Sequence, residues 1–219
     1  MSDIKTEIIS SLLSDIDDVS TWSPLEPKYF GSTTRTLALF GEIDNTSSLL
    51  LISQLEHLAH LSSDEPITLY LNTEGGSLTD AFAIYDCINN IPPPVLIIST
   101  GLCASAGLLI LCAGDYRVAT ANTVFYYHQP VLAQSSSVNS VKDMKTISDH
   151  YIYCQKQLDA KIKEVTQMDD ADWRAFFDSS TGYYFGTPEA LDFNFINKIT
   201  PSLKVDFEIE DLLLDEGDV

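Results

Sequence analysis

Apolar residues along this chain alternate between short runs and longer stripes at helical spacing. The short runs are rich in β-branched and aromatic residues, which is typical of strands. The predicted strands are Thr36–Phe40, which ends at Gly41, and Ile67–Leu71, Val95–Thr100, Tyr116–Ala119 and Thr123–Tyr127. Stripes that recur every three or four residues predict helices between and after them. The predicted helices are Ser47–Leu61, a segment from Ser77 to Ile91, Leu108–Cys112, Ser140–Val165, Trp173–Phe177 and a segment that starts at Thr187.

Three of the predicted helices carry a start signal. Ser77 is followed by Asp80, and Ser140 by Asp143, so that each serine can cap the first turn of its helix. Thr187 is expected to cap the last helix, with the following proline in the first helical position.

The order of these elements predicts an α/β fold with a largely parallel sheet, because strands alternate with helices. In such sheets, ligands bind beyond the carboxyl ends of the strands. Two turns rich in small residues, Gly75-Gly76 and Gly101–Gly107, follow predicted strands and are the first candidates for a functional site. The regular pattern covers residues 35–200, which we interpret as one domain. An N-terminal extension at 1–34 and an acidic C-terminal tail at 201–219 flank it.

The charge balance excludes several kinds of partner. The 219 residues include 32 acidic and 12 basic side chains, a formal net charge of −20. Binding to a phosphate backbone or to an anionic membrane needs clustered Lys and Arg, so neither nucleic acid nor a membrane is an expected partner. No apolar run is long enough to span a bilayer, and the N-terminus lacks the apolar core of a signal peptide. We therefore expect a cytoplasmic protein.

Neither a metal nor another cofactor is predicted. The four cysteines form no CxxC pair and are expected to be reduced core thiols. His57 and His60 lie three residues apart on a predicted helix, but no third metal ligand is near them in sequence. The chain has neither a P-loop nor a GxGxxG motif, so we do not expect it to bind a nucleotide.

Three short segments carry residues suited to acyl-transfer chemistry. Ser105 lies between two alanines at the head of an apolar helix, where free N–H groups and the helix dipole can stabilise an oxyanion. The bare backbone of Gly75-Gly76 can approach a substrate carbonyl closely. His128, at the end of another strand, is a candidate general base. Taken singly, each feature also fits a structural role: a helix cap, a tight turn and a histidine packed at a strand end.

Taken in order, these segments resemble the proteolytic subunit of the ATP-dependent Clp protease. The motifs that carry the resemblance are Leu69–Gly76 (LYLNTEGG), Ile84–Asp86 (IYD), Gly101–Gly107 (GLCASAG), Ala113-Gly114 and His128–Pro130 (HQP). Further matches at Phe40–Asp44, Pro188–Ala190 and Phe195–Asn197 extend the resemblance from Arg35 to Thr200.

The resemblance implies a crotonase-like, ClpP-type α/β fold built from repeated β-β-α units. It implies a serine endopeptidase in which Ser105 is the nucleophile and His128 the base. The backbone N–H groups of Gly76 and Ala106 would form the oxyanion hole. No cofactor is implied.

The same resemblance implies partners. Further copies of the chain would form a heptameric ring or two stacked rings, which an AAA+ unfoldase would supply with polypeptide substrate. Ser140–Val165 corresponds to the long handle helix that joins two rings. Its face of Val141, Met144 and Ile147, with Tyr151 and Tyr153 expected to be exposed, fits such a contact.

The third member of the implied triad departs from the family pattern. The position of the family's aspartate is Gly182, and losing that carboxylate costs on the order of 10⁴ in rate. Asp178, four residues upstream, is one candidate replacement. A Ser105–His128 dyad ordered by a backbone carbonyl and a nearly inactive subunit are the other possibilities. The residues after His128 lack the family's glycine-rich strand, and residues 1–34 do not match its axial loops, so unfoldase binding does not transfer directly.

Three functions follow from these observations. Ser105 and His128 favour an active serine endopeptidase within a ring. Gly182 favours a catalytically weak or inactive ring subunit, or a regulator of another such ring. The third hypothesis, an acyl-CoA enzyme of the wider crotonase-like fold, depends on the fold alone, and a fold does not determine function.

Overall fold

The computed structural model describes residues 35–129, 140–177 and 182–201. The predictions for the N-terminal extension, for Asp178 and for residues 202–219 of the acidic tail lie outside these residues. The elements are β1 (Thr36–Ile43), α1 (Asn45–Leu61), β2 (Ile67–Gly76), α2 (Leu78–Asn90), β3 (Val95–Ala104), α3 (Ala106–Ala113), β4 (Tyr116–Thr120), β5 (Val124–Tyr127), α4 (Val141–Thr166), α5 (Asp170–Phe176), β6 (Tyr183–Gly186), α6 (Thr187–Asp192) and β7 (Lys198–Thr200).

The strands form one sheet in the order β1-β2-β3-β4-β7, and every pair along this path is parallel. The long strand β3 has two neighbours on one side. Its first half pairs with β4 and its second half with β5, also in parallel. The strand β6 then pairs with β5 in the antiparallel sense. The α/β fold with a largely parallel sheet is therefore confirmed.

The core explains why the strands have almost continuous apolar sequences. Val95–Ile98 of β3 is buried on both faces: one face packs in the main core with the helices, and the other packs in a smaller cluster with Val118, Tyr70 and Tyr116 of the neighbouring strands. Every residue of α3 is buried, which fits its sequence AGLLILCA. A helix without a polar face packs inside the molecule, so the residue before α3, Ser105, is anchored to the core.

Helix caps agree with the sequence at two positions and differ at a third. The Ser77 and Ser140 hydroxyl groups accept hydrogen bonds from the backbone N–H of Asp80 and Asp143, as predicted. The prediction that Thr187 caps the last helix is wrong by one residue, because Gly186 is the N-cap. The Glu189 carboxylate accepts a hydrogen bond from the Gly186 N–H, so this start needs no side chain at the cap.

The strand β6 was not predicted from the sequence, and β1, β2 and β3 extend beyond their predicted ends. The residues of β6 continue an aromatic cluster that begins on β5: Phe125 stacks on Phe185 with ring centroids 5.2 Å apart. Phe177, which follows α5 directly, contacts the edges of both Phe185 and Tyr127. Three of its four residues are aromatic and favour a strand, but the pairing with β5 that makes it one depends on a distant segment.

The helix α4 changes character along its length. Near its start, Val141 and Met144 are 83% and 56% exposed, while Leu158 and Ile162 near its end are buried. Tyr153 is exposed as expected, but Tyr151 is only partly exposed and lines a pocket on this helix. Among the described residues, no helix has the length and apolar character needed to cross a membrane.

Candidate active site

Three parallel strands end at the candidate site. The strand β3 leads into Ser105, and its last residues have β2 on one side and β5 on the other: Cys103 pairs with Thr73, and Ala104 pairs with Tyr126. The glycine pair ends β2, and His128 follows β5 directly. The sheet therefore brings the glycine pair, Ser105 and His128 together at the carboxyl edge, where ligands bind in such folds.

Ser105 occupies a strained backbone conformation. Its φ of 56° and ψ of −124° lie in a region that residues with a Cβ rarely adopt. The Ser105 N–H donates a hydrogen bond of 2.7 Å to the carbonyl oxygen of Tyr126, which holds the turn against β5. The hydroxyl does not cap α3. A sharp strand-to-helix turn of this kind presents a serine Oγ as a nucleophile.

The glycine pair packs directly against this turn. A Cβ added to Gly75 would stand 2.6 Å from the Cβ of Ser105, 2.8 Å from the Ala104 oxygen and 3.1 Å from the Ala106 nitrogen. Gly75 also has a φ of +96°. Both the close approach and the left-handed backbone require glycine at this position.

The two predicted oxyanion donors flank this contact. Ala106 is the first residue of α3, where a backbone N–H has no partner within the helix. Gly76 follows Gly75 with a φ of +146°, and an added Cβ would collide with the carbonyl oxygen of Ile43. An N–H from each side of the Ser105 turn is the arrangement that a tetrahedral intermediate requires.

Thr73 and Asn72 hold the glycine turn, a role that was not predicted for either residue. The Thr73 hydroxyl is buried; it donates to the carbonyl oxygen of Gly41 and accepts from the Gly75 N–H at 3.0 Å. The Asn72 side-chain oxygen accepts from the Leu102 N–H at 3.0 Å, where the pairing of β2 with β3 is irregular. Both residues lie in the LYLNTEGG motif, which was the available signal.

His128 stands beside the Ser105 turn, and its hydrogen bond in the described structure is to its own neighbour in the chain. Its Nδ1 lies 2.7 Å from the backbone oxygen of Gln129. When Nδ1 carries the proton and donates to this oxygen, Nε2 has a free lone pair, which is the tautomer that a general base needs. Catalytic hydrogen bonds to the nucleophile are often long or unformed without substrate.

The position predicted for the triad aspartate lies opposite His128. The pairs of β5 and β6 end at Tyr127 with Tyr183, and continuing this register by one residue places Gly182 across from His128. Gly182 has a φ of +81° and no side chain to offer the imidazole. The candidate replacement, Asp178, lies outside the described residues.

A buried polar network lies on the other face of β5. The Tyr127 hydroxyl donates to the Asp159 carboxylate at 2.6 Å, and the Gln155 amide donates to both groups. The Gln129 amide donates to the same hydroxyl at 3.3 Å. This network ties the residues on both sides of His128 to α4.

Burial makes Cys103 and Cys112 poor nucleophiles. Cys103 lies two residues before Ser105, but complete burial raises the pKa of its thiol well above the usual range. Burial likewise raises the pKa of Cys112 to about 12. Within the part of the chain that the structure describes, no group of three His, Cys, Asp or Glu could hold a metal ion.

Comparisons with known proteins agree with the resemblance found in the sequence. A sequence model of the family described as Clp protease matches residues 31–202. The chain is 29% identical over 188 residues to the ATP-dependent Clp protease proteolytic subunit 2 of Thermobifida fusca (strain YX), a match that covers 80% of this chain and 88% of the relative. It is 32% identical over 127 residues to proteolytic subunit 1 of the same organism, which covers 57% of this chain and 56% of that relative.

A solved structure agrees as well. The fold superposes on a ClpP1 point mutant from Listeria monocytogenes with a TM-score of 0.68 and 27% sequence identity. This superposition covers 78% of the present chain and 94% of the other. The ClpP-type fold is thereby confirmed.

Proposed function

Because this chain belongs to the Clp protease family, we propose that it is a serine endopeptidase with Ser105 as its nucleophile. One observation carries the proposal: Ser105 lies in a strained turn, with the glycine pair packed on one side and His128 on the neighbouring strand. Strain of this kind persists only where the surrounding structure enforces it, and it concentrates at functional sites.

In the proposed reaction, the Ser105 Oγ attacks the scissile carbonyl of a polypeptide while the Nε2 of His128 accepts the hydroxyl proton. The N–H groups of Gly76 and Ala106 stabilise the oxyanion of the tetrahedral intermediate. His128 then donates the proton to the leaving amine, and an acyl-enzyme forms. Water, deprotonated by His128, attacks this ester, and His128 returns the proton to the Ser105 Oγ as the carboxylic acid product leaves. Throughout, the Gln129 oxygen holds the Nδ1 proton.

We further propose that copies of the chain assemble into a ring or stacked rings of the heptameric kind, as the resemblance implies. Supporting this are the exposed Val141, Met144 and Tyr153 on α4, which leave apolar surface for a partner. A closed chamber would restrict cleavage to unfolded polypeptides, delivered by an AAA+ unfoldase. The proposed location is the cytoplasm.

A weak or inactive ring subunit is the second candidate. One observation favours it: Gly182 supplies no carboxylate opposite His128. Such a subunit would assemble but would not turn over peptides. The acyl-CoA alternative is no longer favoured, because the family match is to Clp protease.

Labelling with a fluorophosphonate probe, read by mass spectrometry, separates these candidates. An active site is expected to bind the probe at Ser105, and the Ser105→Ala and His128→Ala variants are expected to lose this labelling. Ser53→Ala, which changes an exposed serine on α1, is the matched control and should label normally. Stable oligomers without labelling at Ser105 would establish the second candidate and refute the first.

A further inference from the structure

The space beside Gly182, at the position opposite His128, is filled by the side chain of Tyr126 from β5. A Cβ added to Gly182 would stand 2.5 Å from the phenol oxygen of Tyr126 and 2.8 Å from two of its ring carbons. No side chain fits there while Tyr126 keeps its position. Gly182 is thus the residue that accommodates the Tyr126 ring.

The Tyr126 ring also lies along the imidazole. His128 directly follows β5, two residues after Tyr126, and side chains two residues apart in an extended chain lie on the same face. The two ring centroids are 5.1 Å apart, with an angle of only 18° between the planes. A near-parallel aromatic ring packed against an imidazole restricts its rotation.

Tyr126 itself is held from two directions. Its cross-strand neighbour Tyr184 stacks on it, with centroids 3.9 Å apart and an angle of 19°. Its carbonyl oxygen accepts the hydrogen bond from the Ser105 N–H. One residue therefore contacts the imidazole through its side chain and the nucleophile's turn through its backbone.

We propose that Tyr126 is the positioning residue for His128, in a site that has Gly182 where the resemblance implies a triad carboxylate. Its ring sets the plane of the imidazole, and the Gln129 oxygen selects the tautomer by accepting the Nδ1 proton. The inference rests on the proposed function, because it assigns a role to a partner of the proposed base. It makes Asp178 unnecessary for ordering His128.

The kinetic test compares Tyr126→Leu with Tyr126→Phe. Leucine removes the aromatic face, and we expect kcat for a fluorogenic peptide, and the rate of fluorophosphonate labelling at Ser105, to fall by roughly 10- to 100-fold with little change in KM. Phenylalanine keeps the face, so Tyr126→Phe should recover most of this loss. Tyr70→Leu, a change at a partly buried tyrosine on β2, is the control for tyrosine removal and should keep wild-type rates.

A second test does not depend on activity. Gly182→Ala and Gly41→Ala introduce a methyl group at similar backbone angles, φ +81° and +90°, but an added Cβ at Gly41 has nothing within 4 Å. We expect Gly182→Ala to lower the melting temperature more than Gly41→Ala. The additional loss of melting temperature in Gly182→Ala should disappear when Tyr126 is also changed to alanine, because the colliding ring is then absent.

Three outcomes would count against these assignments, and they are distinguishable. Wild-type protein without labelling at Ser105 would refute the proposed function, and the positioning role with it. Wild-type labelling that Tyr126→Leu leaves unchanged, or that Tyr126→Phe lowers as much as Tyr126→Leu does, would refute the positioning role alone. An equal loss of melting temperature in Gly182→Ala and Gly41→Ala would show that Tyr126 does not fill the position opposite His128.

Discussion

Gly75 lies so close to Ser105 that a Cβ on the glycine would stand 2.6 Å from the Cβ of the serine. Real Cβ atoms do not approach each other this closely, so either the glycine strand or the serine turn would have to move. The two turns that the sequence marks as small-residue segments are therefore one packed unit. The position of the nucleophile depends on the absence of a side chain on the neighbouring strand.

We expect Gly75→Ala to displace the Ser105 turn and to slow labelling at Ser105 by about 100-fold, because small misplacements of reacting groups have effects of this size. Gly41→Ala is the matched control: its φ of +90° is close to the +96° of Gly75, but the space around it is open. The backbone penalty, about 1–2 kcal/mol for a left-handed L-residue, is then common to both variants. Equal labelling rates in the two variants would contradict this account.

A second prediction concerns the hydroxyl of Thr73. Thr73→Val keeps the shape but removes the hydrogen bonds to Gly41 and from Gly75, leaving buried polar groups unpaired. We expect the free energy of unfolding to fall by about 1–3 kcal/mol. Labelling at Ser105 should slow as well, since the glycine turn loses its anchor.

The conservative variant Thr73→Ser is the control for this prediction. It retains the hydroxyl and loses only the methyl group that packs near Gly107. Urea unfolding and labelling should both place it closer to wild type than Thr73→Val. The opposite order would assign the role of Thr73 to its methyl group.

A third prediction follows from the environment of Cys87. Partial burial and the nearby Glu56 carboxylate, whose oxygen lies 3.9 Å from the sulfur, raise the pKa of this thiol to about 11. The thiolate is the reactive form, so alkylation by iodoacetamide should be slow at pH 8 and should accelerate up to about pH 11.

Glu56→Gln tests the electrostatic part of this shift. Removing the negative charge lowers the pKa of Cys87, so alkylation at pH 8 should be faster in the variant than in wild type. Mass spectrometry of the folded protein should find the buried Cys103 and Cys112 unmodified under the same conditions. A rate at Cys87 that already levels off below pH 9 would be inconsistent with the raised pKa.

The fourth prediction concerns assembly. Each copy of the chain has a net charge of −20, so bringing copies together in a ring costs repulsion that salt screens. We expect the oligomeric fraction, measured by light scattering, to rise between low and moderate salt. Residues 204–219 contain seven acidic residues and one basic residue, a net −6, so a chain without them should assemble at lower salt. A wild-type fraction that falls as salt rises would argue against this.

Much of the fold could be predicted from the sequence because its signals are local. The helical stripes and the serine caps at Ser77 and Ser140 depend on residues within a few positions of each other, and the structure confirms them. Thr187 shows the limit of such signals, because a carboxylate three residues into the helix can replace a side-chain cap and move the start by one residue.

In the candidate site too, residues marked by local motifs were predicted, whereas residues defined by contacts between distant segments were not. The motif order marked Gly76, Ser105, Ala106 and His128, and the sheet places their segments together at one edge. Tyr126 and Thr73 were missed although they lie beside or within a motif, because a motif does not show which groups a side chain contacts. Tyr126 matters because β6 brings Gly182 to its ring. Thr73 matters because its hydroxyl joins Gly41 of β1 to Gly75 of its own strand.

By itself, the sequence determined the α/β class, the family resemblance, the small-residue turn at the serine and the glycine where a carboxylate was expected. Only the tertiary structure decided what stands beside that glycine. The pairing of β5 with β6 brings Gly182 to Tyr126 from far along the chain, and the ring of Tyr126 lies against both Gly182 and His128. Local periodicity reports which face a residue takes, whereas strand register decides which side chains share a space.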